Sequence, residues 1–164
     1  MRRSKPLSRL VRAALTATVL SAALPVFALT ATQSVEKEIQ TQGADGTVAV
    51  RYAPATLVTP GETIIYRLDI ENDGTEPAAD LRLVMPVPEV ITYIEGSAER
   101  DDAVVTYSAD AGQSYAARNA LRVTSEDGTK VPALADDITH VKWTLKTPIS
   151  PGQKDTLAFK GKLK

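Results

Sequence analysis

The chain has 164 residues, with 19 Lys and Arg against 20 Asp and Glu, one histidine and no cysteine. The missing cysteine excludes disulfides, thiolate metal sites and lipoprotein anchoring, and the lone His140 strips zinc, copper and acyl-transfer centres of their usual ligands and bases. The charges are also segregated: five basic residues precede residue 13, and the first acid is Glu36.

The first residues carry Arg2, Arg3, Lys5, Arg9 and Arg12, followed by an apolar run over 13–24, Pro25 and the small-residue end Val26-Phe27-Ala28. This is the pattern of a secretory signal peptide cut after Ala28. The apolar run is shorter than the roughly 20 residues of a spanning helix, which makes an uncleaved anchor the weaker reading. Ser4-Lys5-Pro6 after the arginine pair lacks the apolar residues of a twin-arginine signal. Removing residues 1–28 leaves a domain of formal charge about −6, a poor general binder of nucleic acid or anionic membrane. No later apolar stretch approaches membrane-spanning length, so the expected product is soluble, exported to the periplasm or the medium.

Residues 29–46 are polar, with Val35 and Ile39 as spaced apolar positions, and read as a short first strand or a lead-in. After the Ala44-Asp45-Gly46 turn, 47–52 places Val48, Val50 and Tyr52 on one face, and Pro54 ends the run. Pro60-Gly61 and Asn72-Asp73-Gly74 frame a strand over 63–71, in which Ile64, Tyr66, Leu68 and Ile70 alternate with polar residues. Strand 79–85 turns Leu81, Leu83 and Met85 inward, with Arg82 and Val84 outward, before Pro86 and Pro88 stop the ladder. A short strand follows over 90–95, ending at Gly96-Ser97. Residues 104–108 and 116–124 are expected to form a hairpin around Asp110-Ala111-Gly112. Glu126-Asp127-Gly128 is another turn, and 131–134 is broken by Pro132. The last strands are 139–146, with Val141, Trp143 and Leu145 alternating, and 156–164, with Leu157, Phe159 and Leu163 alternating.

No segment after residue 28 sustains a helical period over ten residues. Seven to nine short strands separated by Pro/Gly turns predict an all-β fold, an antiparallel β-sandwich over 47–164. Trp143, flanked in its alternation by Val141 and Leu145, is expected between the sheets and not as a ligand platform.

Pro60-Gly61, the run Tyr66-Arg67-Leu68-Asp69-Ile70-Glu71-Asn72, Gly74, Ala79-Asp80-Leu81, Pro86 and Pro88, and Tyr93-Ile94-Glu95-Gly96-Ser97 follow one another in an order that resembles a known family. It is the conserved-repeat domain of unknown function found in secreted bacterial and archaeal surface proteins. Thr139-His140-Val141-Lys142-Trp143 and Pro151-Gly152 also fit its single-domain members, and the resemblance covers roughly residues 55–164. It implies an immunoglobulin-like sandwich with no established activity.

His140 alternates out of phase with Val141, Trp143 and Leu145 and is expected to point to solvent. The acid pairs Asp101-Asp102, Glu126-Asp127 and Asp136-Asp137 lie in hydrophilic loops and predict no cleft with two opposed carboxyls, as glycoside hydrolysis requires. Calcium suits such loops better, although no Asp-x-Asp-x-Asp-Gly run is present. Residues 108–115, Ser-Ala-Asp-Ala-Gly-Gln-Ser-Tyr, resemble the Asp-box hairpin of sialidase propellers; one copy serves as a folding device. Lys160, Lys162 and Lys164 share one face, with Lys142 and Lys146 outward on the strand before. If those strands are neighbours, they form either a patch for an anionic envelope polymer or acidic protein, or a guard on a terminal edge.

No catalytic, cofactor or metal residue is assigned. The expectation is a non-enzymatic exported binding or scaffold module of the periplasm or cell envelope, making contact through sheet edges and end loops. The alternative is a calcium- or carbohydrate-binding accessory domain that uses the acidic loops; a glycan hydrolase ranks last.

Overall fold

The computed structural model describes residues 29–43 and 46–164. The expected signal peptide, 1–28, and the first two residues of the Ala44-Asp45-Gly46 turn lie outside the described residues. The regular secondary structure is nearly all strand: β1 Leu29–Gln42, β2 Val48–Pro54, β3 Thr63–Asn72, β4 Arg82–Pro86, β5 Ile91–Tyr93, β6 Ala103–Ser108, β7 Arg122–Thr124, β8 Lys130–Pro132, β9 His140–Leu145 and β10 Lys154–Leu163. Two 3-10 turns, Arg118–Ala120 and Ala135–Asp137, complete it, and no helix among the described residues is long and apolar enough to cross a membrane.

Every strand pairing is antiparallel. A five-stranded sheet has the order β2-β1-β3-β10-β5, a three-stranded sheet the order β4-β9-β6, and β7 pairs with β8 alone. The chain therefore passes directly between the two larger sheets from β3 to β4, β4 to β5, β5 to β6 and β9 to β10, and the β7–β8 ribbon is inserted between β6 and β9. The inward rows anticipated by alternation meet in one core: Ile64, Tyr66 and Ile70 of β3 and Leu157 and Phe159 of β10 face Met85, Val141, Trp143 and Tyr107 of the smaller sheet. Tyr66 stacks on Phe159, its partner in register, with centroids 4.9 Å apart.

Trp143 is fully buried, and its Nε1 donates to the Ala98 carbonyl at 2.8 Å. The Ala98 N–H donates to Tyr93 Oη at 3.2 Å, and that hydroxyl shares a 3.0 Å hydrogen bond with Tyr107 Oη. Both main-chain groups of a buried loop residue are thus satisfied by aromatic side chains from the two sheets. Burial, then the Tyr93 hydroxyl, push the Tyr107 phenol far above its ordinary range, so it stays neutral. Asn72 does the same for the far end of the fold. Its Nδ2 donates to the carbonyls of Ile149 and Glu76 at 2.7 and 2.8 Å, and its Oδ1 accepts the Gly74 N–H at 3.0 Å.

Four sequence expectations are corrected. The polar stretch 29–46, read as a short first strand or a lead-in, holds a long first strand, β1, of 14 residues, paired with β3 over Leu29–Lys37 and with β2 over Glu36–Gln42. The strand expected from residue 79 starts at Arg82, because Asp80 takes a left-handed φ of 54°. The hairpin expected between 104–108 and 116–124 shrinks to the single bridge Tyr107↔Ala116; Arg122–Thr124 instead pairs with Lys130–Pro132 around the Glu126-Asp127-Gly128 turn. Pro132 is tolerated there because it ends a two-stranded ribbon.

At Gly161 of β10 the neighbouring strand β5 leaves no room for a side chain. A β-carbon there would lie 2.1 Å from Ile91 Cγ2 and 3.3 Å from the Thr92 carbonyl. Gly161→Ala is therefore expected to destabilise the fold by about 1–3 kcal/mol, the usual range for overpacking. In an Ile91→Ala background the same change should cost less, as a double-mutant cycle of urea midpoints would show.

Candidate functional site

The residues singled out for chemistry do not converge. His140 is half-buried rather than free in solvent: a β-carbon at Gly112 would sit 3.6 Å from its ring, and its Nδ1 lies 3.1 Å from Thr139 Oγ1. Among the described residues no carboxylate is bonded to it, so the orienting partner of a base is missing from that side chain. Each acid pair has at least one member occupied by structure. Asp102 holds Arg100, Asp127 accepts the Ser125 hydroxyl and the Thr129 N–H, Asp136 bonds Thr92 and pairs with Lys164, and Asp137 accepts the Leu134 N–H. Among the described residues no group of three or more His, Asp and Glu side chains is placed to hold a metal ion.

The Asp-box residues form a self-contained turn. Asp110 accepts the Ser108 and Ser114 hydroxyls at 2.7 and 2.6 Å and the Ser114 N–H at 2.9 Å, while Ser108 Oγ accepts the Gly112 N–H at 2.9 Å. Ala111 and Gly112 are both left-handed, at φ 57° and 83°, a pair of conformations that the glycine makes affordable. The ring of Tyr115 lies under the Lys142 ammonium, 3.9 Å from the centroid.

The expected lysine cluster does not form, because β9 and β10 belong to different sheets. Lys142 rests on Tyr115, Lys146 donates to the Asp101 carbonyl, and Lys160 and Lys164 are ion-paired with Glu38 and Asp136. Nor is β10 a terminal edge to be guarded; it lies between β3 and β5. A hollow of about 300 Å³ on the outer face, beside Asp69, Glu71 and Lys154, is closed chemically: Thr156 bonds Asp69 and Lys154 pairs with Glu71.

Among the described residues, what remains open is the outer edge of β2. Past Lys37, β1 has no partner in β3, so Glu38–Gln42 and their β2 partners form an arm beyond the body of the sheet. At its two ends the Gly43 N–H donates to the Thr47 carbonyl and the Ala55 N–H to the Val35 carbonyl. Those bonds place the main-chain groups of odd-numbered residues toward β1, so the alternation of an antiparallel ladder turns those of Val48, Val50 and Tyr52 away from it. The side chains of the same three residues share one face and are 59%, 48% and 46% exposed. Of the usual guards against strand pairing, β2 carries one charge, Arg51, and one proline, Pro54, at its last position.

The base of the arm is held by charge. Lys160 Nζ reaches Glu38 at 2.9 Å and lies 6.0 Å from the Tyr52 ring centroid, and Arg67 pairs with Glu36 at 3.1 Å. The Gln40 amide and the Lys160 ammonium hold the Glu38 carboxyl below its usual range. Sequence reasoning grouped Val48, Val50 and Tyr52 on one face but did not identify an open edge. The available signal was an apolar alternation joined to a polar run too poor in apolar residues to cover it.

The Ser114, Ser108 and backbone hydrogen bonds drop the Asp110 carboxyl to about 2. Its contribution to stability is therefore complete above the ordinary aspartate pKa near 4 and is lost as pH falls through about 2. Thermal unfolding from pH 6 to pH 2 should show Asp110→Asn less stable than the parent at pH 6, with the gap closing toward pH 2; a gap independent of pH would refute the assignment. The chain matches no protein-family model, no curated protein and no solved structure.

Proposed function

We propose that this protein is a non-enzymatic, exported β-sandwich that serves as a binding or scaffold module of the periplasm or cell envelope, and that it works by adding a partner strand to the free edge of β2. The observation that carries the reading is the coincidence at Val48, Val50 and Tyr52 of outward main-chain groups and exposed apolar side chains on an edge whose one charge is Arg51 and whose one proline, Pro54, stands at its end. Strand addition uses that combination: main-chain bonds supply affinity and alternate side chains supply selectivity.

The edge is also self-complementary. In an antiparallel two-fold pairing centred on Val50, Val50 meets Val50 and Val48 meets Tyr52, while Arg51 falls opposite Ala49 and avoids its own charge. A second copy of the chain is thus the partner strand this edge suits best. The immunoglobulin-like reading, the likeness to the conserved-repeat domain and the cleavable leader belong to the same proposal; two antiparallel sheets around one core agree with the first.

Sedimentation velocity of the purified protein should give a concentration-dependent dimer. Val50→Pro should abolish it without lowering the melting temperature by more than a few degrees, because the lost N–H faces away from the β1 ladder. A parent protein monomeric at every concentration, or a Val50→Pro variant that still dimerises, would contradict the proposal.

A further inference from the structure

A second open edge lies on the smaller sheet, along β6. Tyr107 exchanges both main-chain hydrogen bonds with Ala116, at 2.8 and 3.0 Å, on the side away from β9. The Ser108 and Asp102 carbonyls accept from Thr139 and Lys146 on the β9 side. The alternation therefore turns the N–H and C=O of Ala103 and Val105 the same way as those of Tyr107. Among the described residues nothing bonds them there. Ala116 closes only the Tyr107 end, and the chain then leaves the edge through the Arg118–Ala120 turn.

That departure opens a groove of about 640 Å³ in which Ala103, Val105 and Tyr107 form one wall and Ala117 and Asn119 the other. Its length of free ladder fits a short extended segment, and its charge selects one kind. Arg118 is neutralised by Glu95 at 2.6 Å, and Arg100 is shared between Asp102 and Asp155. Glu99 and Asp101 also line the groove, both are exposed, and neither carboxylate has an ion pair among the described residues. Two further cations touch the groove lining, Lys146 on the Asp101 carbonyl and Arg122 on the Asn119 carbonyl, so the five acids Glu95, Glu99, Asp101, Asp102 and Asp155 outnumber the four bases by one and leave the groove slightly negative, most so at Glu99 and Asp101.

We propose that this groove is a second binding site, which takes an extended polypeptide segment bearing Lys or Arg between apolar residues. The segment adds as a strand along Ala103–Val105, and its basic side chains face Glu99 and Asp101. Each incoming residue in register would satisfy main-chain groups that the fold leaves bare, and the flanking carboxylates would favour cationic over anionic segments. The site lies on a different sheet from the β2 edge, so the two are separable.

The test is fluorescence anisotropy with two labelled, end-capped hexapeptides, Lys-Val-Arg-Val-Lys-Val and Glu-Val-Glu-Val-Glu-Val, added to the purified full chain. The basic peptide should bind saturably, more weakly at higher salt, and the acidic one at least about tenfold less tightly. Val105→Pro, which removes an outward N–H, should abolish binding. The exposed pair Glu99→Lys with Asp101→Lys should weaken it at least about tenfold without disturbing the core. Val50→Pro should leave it unchanged, so failure of the β2 proposal is read separately. Absence of saturable binding, equal affinity for the acidic peptide, or binding indifferent to the Glu99/Asp101 reversal would overturn the proposal, whether or not Val105→Pro folds.

Discussion

The fold turns on Ala98. The chain must cross from the five-stranded sheet to the three-stranded one after β5, and the crossing loop passes through the core, where a bare N–H and C=O would each cost on the order of 1–3 kcal/mol. Trp143 takes the carbonyl and Tyr93 the N–H, while Tyr107 ties the Tyr93 hydroxyl to the opposite sheet. One small residue thereby joins side chains of both sheets, two positions before the Arg100 that borders the β6 groove. A larger residue at 98, which is 2% exposed, would have to displace the same rings.

The mismatch between five strands and three explains where the surface is left unfinished. The smaller sheet covers β3, β10 and β5. From β1 only Leu29 packs against the core cluster, and from β2 nothing does. Ala31 and Gln33, though in phase with the inner row of β3, stay exposed. The outer part of the large sheet thus has no hydrophobic reason to end where the core ends, and main-chain pairing and ion pairs extend it into an arm. The smaller sheet has its own loose end, because β7 and β8 pair with each other and leave β6 bridged at one residue. Both proposed contact sites are edges left over after the core was satisfied.

This division also explains what could be read from the residues. The rows at Ile64 to Ile70, Val141 to Leu145 and Leu157 to Phe159 announced themselves because burial on one face imposes a period of two. The Asp-box turn was equally legible, since the partners of Asp110 lie within a few residues, although Thr139 also bonds Ala111 and Ser108. β1 was not, because its stability comes from Glu36, Glu38 and ladder bonds to distant strands, none of which leaves a periodic signal. The separation of β9 from β10 was hidden for a related reason. The connection after Leu145 serves a hairpin or a crossover equally well, and the contact that anchors it, the Asn72 amide on the Ile149 carbonyl, spans 77 residues of chain. The open edges were beyond pattern reading altogether, since an edge is defined by which strands fail to pair.

The most direct measurement is amide hydrogen exchange along β2 as a function of protein concentration. The account has the N–H groups of Ala49, Arg51 and Ala53 committed to β1, and those of Val48, Val50 and Tyr52 free in the isolated chain. It predicts that the first three are protected at all concentrations and that the second three become protected only as copies associate. Slow exchange at Val50 in the dilute protein, or fast exchange there in an assembled one, would contradict it.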